Sequence, residues 1–183
     1  MDFAFSAEQD LLKKEMRHFL EAECPKSTVR KLEGSEVGYL PEMWKKMAEL
    51  GWLGLILPEA YGGVGGNLID LAVLLEEVGR ATAPSPIFST MVMGVLPILE
   101  AGTEEQKSRL LTGVAKGEIL LTMAIAEPGT DYQPQYMATH ATHHKDDTLS
   151  IGGTKLFVQN AHTANYLLVV AQTRASSAGG DGI

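Results

Sequence analysis

The sequence predicts an α+β chain: an N-terminal all-α helical bundle domain over residues 1–117, then an incomplete antiparallel β-barrel-like domain over 118–183. Three observations predict it. Apolar residues recur at helical spacing as far as Gly117, helix-capping signatures punctuate that part, and beyond Gly117 the apolar residues fall into short blocks and alternations of strand type.

The elements follow in order. Ser6 with Gln9 forms a capping box, and Leu11, Leu12, Met16, Phe19 and Leu20 then make an amphipathic helix that ends at Cys24-Pro25. A second helix starts with Pro41 in its first turn, runs through Trp44, Met47, Ala48 and Leu50, and stops at Gly51. A third begins near Asn67, buries Leu68, Leu71, Ala72, Leu75 and Val78, and ends around Gly79; Ile69, Val73 and Leu74 widen its apolar face, so burial on most sides is expected. Residues 87–99 are almost wholly apolar and contain Gly94 and Pro97, which predicts a buried helix that is bent or interrupted. Thr103 and Gln106 cap a further helix through Leu110, Leu111 and Val114 to Gly117. Strands are expected at 119–126, 138–142, 148–151, 155–159 and 166–172, with Gly152-Gly153 as a tight hairpin turn.

Bulk properties narrow the function classes. The 183 residues are 45% apolar and 21% charged, enough for a substantial core. A net charge of −8, without clustered Lys or Arg, argues against nucleic acid as a partner. Cys24 is the single cysteine, so no disulfide framework is possible. The start Met1-Asp2-Phe3-Ala4 has no basic leader, and no stretch reaches the roughly 18 apolar residues of a spanning helix. These features predict a soluble, unprocessed, cytoplasmic protein with no membrane span.

Two stretches carry the chemistry. In Leu121-Thr122-Met123-Ala124-Ile125-Ala126-Glu127-Pro128-Gly129 and in Gly153-Thr154-Lys155-Leu156-Phe157-Val158-Gln159-Asn160, an apolar run ends in a turn or polar group. That arrangement lets main-chain donors and one flat side chain face a planar ligand such as a flavin. Together with Leu57-Pro58-Glu59-Ala60-Tyr61-Gly62-Gly63 ahead of the third helix, and Ala101-Gly102-Thr103-Glu104-Glu105-Gln106-Lys107, these motifs resemble the N-terminal portion of the acyl-CoA dehydrogenase family. The likeness extends over the whole chain; any one motif alone is weak, whereas four in the same order are specific.

The resemblance implies FAD as cofactor. Ile125 and Ala126 would present main-chain groups to the polar edge of the ring, with Glu127-Pro128-Gly129 turning the chain beside it. Phe157 occupies the place of an aromatic residue that covers one flavin face, commonly Trp, and Val158 follows it; the alternative for Phe157 is an inward-facing strand residue. Gln159 stands where a Thr commonly reaches flavin N5, and its amide can also donate. The family commonly continues past Glu-Pro-Gly with a small residue and Gly-Ser-Asp; here Thr130-Asp131-Tyr132-Gln133 follows, with Thr130 offering a hydroxyl. Ser85, Ser89 and Met93 lie in the helix that lines the acyl pocket in the resembled family.

The implied reaction is removal of the α-proton of an acyl-CoA by a carboxylate while the β-hydride passes to flavin N5, with an electron-transferring flavoprotein as acceptor and a homo-oligomer as the full-length state. The resemblance places the catalytic Glu in a C-terminal helical domain beyond Ile183, so the chain is expected to be an inactive N-terminal part; Glu76, Glu77, Glu100 and Glu127 carry no mark of a relocated base. A non-catalytic interaction subunit and a flavin oxidase or oxygenase of the same fold are the alternatives. The run Gly62-Gly63-Val64-Gly65-Gly66 lacks the following Lys-Ser/Thr of a phosphate loop and reads as a flexible approach to a helix. His140, His143, His144 and His162 lack Cys partners, and no metal is expected.

Overall fold

The computed structural model describes residues 4–129, 136–146 and 148–173. Among these, the helices are α1 (Ala7–Glu23), α2 (Lys26–Leu32), α3 (Pro41–Glu49), α4 (Leu68–Ala81), a π-helical segment (Phe88–Val95) continuing into α5 (Leu96–Ala101), and α6 (Glu104–Ala115). The strands are β1 (Leu121–Ala124), β2 (His140–His143), β3 (Leu149–Gly152) and β4 (Tyr166–Val169). This is the helix-rich architecture with a smaller β part that the sequence predicts; the described strands do not close a barrel.

Capping chemistry sets the helix starts. Ser6, Asn67 and Thr103 each accept from the first turn, and Gln9, Asp70 and Gln106 return the bond. The first and second of these boxes are also tied to each other in space at the N-terminal ends of α1 and α4, because Gln9 Nε2 donates to Asp70 Oδ1 at 2.9 Å. From there Lys13 pairs with Glu76, Arg17 with Glu77 and Glu21 with Arg80. Partner numbers rise together along both helices, so α1 and α4 run side by side in the same direction.

Several elements differ from the sequence expectation. Helix α2 goes unforeseen because its seven residues bury nothing fully. Helix α4 passes through Gly79 to Ala81, and Leu68 and Ile69 are more than half exposed rather than buried. Its core face is Leu71, Val73 and Leu74 with a buried Glu77, whose charge Arg17 and Arg80 neutralise. The glycine run is packed, not flexible: the chain doubles back so that Val64, Gly65 and Gly66 donate to Gly54, Leu57 and Leu55 carbonyls. A side chain at Gly63 would collide with the Leu57 main chain.

The apolar stretch at 87–99 is helical as expected, and the irregularity takes the form of a π-helical widening, with Pro97 accommodated in the first turn of α5. Gly94 lets this segment approach β1, since a Cβ there would overlap Leu121. One core spans Met16, Leu20, Met47, Leu57, Leu74, Met91 and Leu111 and extends through Leu120 to Leu121 at the start of β1.

Strand pairing is of two kinds. β2 and β3 form an antiparallel hairpin with His140 opposite Gly152 and His143 opposite Leu149. β1 and β4 pair in parallel, Leu121 opposite Tyr166 and Ala124 opposite Val169. The hairpin closes at its other end, where His144 N–H donates to Thr148 O and Asp146 accepts from Thr148. Gly152-Gly153 is therefore not a hairpin turn. Residues 155–159 do not form a strand either, because Leu156 N–H is drawn onto the Ala126 carbonyl instead of back onto β3.

Candidate functional site

The site grows from the place where β1 ends. Ile125 and Ala126 leave the β1–β4 ladder half-buried, and Glu127 turns inward, its side chain 2% exposed. Opposite them Lys155, 9% exposed, sends its Nζ to Glu127 Oε1 at 2.7 Å and to the Ile125 carbonyl at 3.2 Å. Ala138 and Thr139 N–H groups donate to the remaining carboxylate positions at 2.6 and 3.0 Å. Burial opposes the charge of Glu127, but Lys155 and these main-chain donors outweigh it and hold the carboxyl at about 2. The two sequence motifs are thereby clasped by a buried ion pair, reinforced by the Leu156 N–H bond to the Ala126 carbonyl at 2.9 Å.

The same strip is fastened at its far end. Thr122 Oγ1 donates to the Gln159 carbonyl at 2.7 Å, and Asn160 Nδ2 donates to Ser89 Oγ at 2.9 Å. Between the fastenings Phe157 sits at φ 52° with its side chain out of the core, 88% exposed. An inward-facing strand residue is thus excluded for Phe157. Val158 is half-buried and the Gln159 side chain is exposed.

On the helical side, Ser89 is fully buried and its hydroxyl is engaged twice, donating to Pro86 O and accepting from Asn160. Ser85 Oγ accepts from Ile87 N–H at 3.4 Å, and Met93 is half-buried. The π-helical segment carries Ser89 and Met93 and packs on β1, so these two share a neighbourhood with the motifs. Thr130 lies outside the described residues. Among the described residues no group of three His, Cys, Asp or Glu side chains could hold a metal ion, and no helix is long and apolar enough to cross a membrane.

A planar cofactor with a polar edge suits this donor set. The N–H groups of Ile125 and Ala126 donate to no acceptor among the described residues, whereas the carbonyls on the same stretch are occupied by Lys155 and Leu156. Free donors, a bare aromatic ring and a rigid frame behind both are what such a ligand requires. Sequence reasoning missed the frame. The signal was present: Lys155 stands in an otherwise apolar run and Glu127 ends another, and charges in such positions are buried only when paired.

Comparison with known proteins agrees with the geometry. The family model "Acyl-CoA dehydrogenase, N-terminal domain" matches residues 6–118. The probable acyl-CoA dehydrogenase YngJ of Bacillus subtilis (strain 168) is 32% identical, the alignment covering 94% of this chain and 45% of that relative. The butyryl-CoA dehydrogenase structure from Megasphaera elsdenii superposes with a TM-score of 0.82 at 28% identity, covering 97% of this chain and 47% of the other. An acyl-CoA dehydrogenase complexed with FAD from Bacillus anthracis gives 0.80 at 30% identity, covering 92% and 30%. The chain spans about half the length, or less, of the relatives it matches. On the family match and the shared fold, this chain belongs to the acyl-CoA dehydrogenase family.

Proposed function

We propose that these residues supply the helical part and one flavin-facing wall of an FAD-dependent acyl-CoA dehydrogenase. The observation that carries the reading is the clasp of Lys155 and Leu156 on residues 125–127, beside which the Ile125 and Ala126 N–H groups meet no acceptor among the described residues, next to the strip bearing Phe157. In this reading Ile125 and Ala126 donate to the polar edge of the ring, Phe157 covers a face, Val158 and Gln159 line the ring beside it, and Thr130 adds a hydroxyl. When bound, FAD supplies the hydride acceptor.

The chain's own residues then bind and orient rather than move the substrate proton. Glu77 and Glu127 are held at about 2 by their cationic partners, which makes both poor bases near neutral pH. Glu76 is in an exposed pair with Lys13. We therefore assign the base that takes the α-proton to a carboxylate outside the described residues. Met93 offers apolar surface to an acyl chain, Ser85 stands at the start of that wall, and Ser89 shapes it through its bonds to Pro86 and Asn160. The division at 117/118, the electron-transferring flavoprotein as acceptor and a homo-oligomeric full-length state complete the proposal.

The test is the absorbance spectrum of the protein purified as the cell makes it, followed by anaerobic addition of acyl-CoAs of graded chain length. A bound flavin that bleaches with an acyl-CoA supports the reading. Protein without flavin, or flavin that no acyl-CoA bleaches, removes it, and fast reaction of the reduced protein with oxygen would favour an oxidase.

A further inference from the structure

The peptide group between Ile125 and Ala126 has its two ends committed differently. Its oxygen accepts from the buried Lys155 ammonium at 3.2 Å, while its N–H, carried by Ala126, donates to no acceptor among the described residues. The oxygen of the next peptide is likewise occupied, taking the Leu156 N–H at 2.9 Å. A cation at an amide oxygen draws electron density toward that oxygen and leaves the N–H of the same unit more positive, and chains of hydrogen bonds reinforce one another in this way. Burial strengthens the effect, because little water stands between the ammonium and the amide to screen it.

We propose that Lys155 is a positioning residue for the flavin that acts through the Ile125–Ala126 peptide, sharpening the Ala126 N–H as a donor to the ring's polar edge and thereby raising the reduction potential of bound FAD. The inference rests on the flavin reading above and goes beyond it, since that reading requires only that the N–H groups face the ring. Reduction adds negative charge at the polar edge, so a stronger donor there favours the reduced form. Glu127 pulls the other way. Its carboxylate, 2.7 Å from Lys155 Nζ, offsets much of the cation's field, while Ala138 and Thr139 N–H groups keep it charged. The two members of the pair therefore set the potential from opposite sides.

A redox titration of the flavin-loaded protein, prepared as the cell makes it, tests this. Lys155→Met lowers the potential, Glu127→Gln raises it, and Lys155→Arg, which keeps the cation, stays nearer the parent than Lys155→Met. The expected size is about a ten-fold change in the preference for reduced over oxidised flavin, or about 30 mV for a two-electron couple. Opposite signs are the diagnostic result, because simple loosening of the clasp would move both variants the same way. If both shift together, or neither moves, the proposal is overturned while the flavin reading stands. If Lys155→Met fails to hold FAD, the direction of the Glu127→Gln shift decides. If the parent protein holds no FAD, the flavin reading falls and takes this inference with it.

Discussion

Asn160 reaches from the strip that bears Phe157 to Ser89 in the π-helical segment, Nδ2 to Oγ at 2.9 Å. The bond joins two walls that the sequence lists 71 positions apart. Asn160 also holds a left-handed backbone, φ 53°, a conformation Asn tolerates better than most residues.

These two roles separate by mutation. Asn160→Gly loses the hydrogen bond but keeps the backbone relaxed, and is expected to cost about 1 kcal/mol. Asn160→Ala loses the bond and adds left-handed strain, for a total of about 2–3 kcal/mol. Denaturant midpoints of the two variants give the order; an alanine variant as stable as the glycine variant would contradict the strain argument.

Acid stability depends on Glu77 and Glu127. Hydrogen bonds from Arg17 hold Glu77 down against its burial, with Arg80 assisting, and the carboxyl lies at about 2 instead of the ordinary 4.5. Glu127 is lowered to the same region. The folded chain thus binds these protons less tightly than the unfolded chain, so the contribution is fully present above 4.5 and disappears as pH falls toward about 2. Melting temperature measured across that range should drop steeply in the parent and more shallowly in Glu127→Gln. Glu77→Ala removes the hydrogen bonds to Arg17 and Arg80, which are 44% and 37% exposed and can turn to water, so the expected cost at neutral pH is about 1–3 kcal/mol.

Two glycines should respond to alanine with opposite signs. At Gly94 a Cβ would overlap the Leu121 side chain, so Gly94→Ala overpacks the contact between the π-helical segment and β1 at a cost of about 1–3 kcal/mol. At Gly79, inside α4, a Cβ meets nothing within 4 Å, and Gly79→Ala should stabilise by about 0.4–1 kcal/mol. Thermal melts of both variants check the pair.

What the sequence disclosed depended on the range of the physics involved. The caps at Ser6 and Thr103 and the helix start near Asn67 are local and legible, as is the passage from helices to strands past Gly117. Leu68 and Ile69 misled because periodicity reports which residues could be buried, whereas the offset of α4 against α1 decides which are. The parallel pairing of β1 with β4, 45 residues apart in register, has no local signature. The family motifs pointed to residues 125, 126 and 157, yet the frame that holds them is a charge pair 28 positions apart, invisible to any window of ordinary length.

Phe157 separates binding from folding. Its side chain is 88% exposed, so truncation removes almost no buried surface, and Phe157→Ala should leave the melting temperature of flavin-free protein unchanged or slightly lower. The left-handed backbone at φ 52° is present with either side chain and does not distinguish them. Stacking on a flat ring is a different matter: an aromatic pair in van der Waals contact is worth about 0.5–1.5 kcal/mol beyond its area, which corresponds to roughly two- to twelve-fold in affinity. Phe157→Ala should therefore weaken FAD binding by about that factor, while Phe157→Trp, which keeps a π-face, holds or tightens it. Fluorescence titration of flavin-free protein with FAD reads the affinities directly. A Phe157→Ala variant that binds FAD as tightly as the parent would mean that the exposed ring faces something other than the flavin.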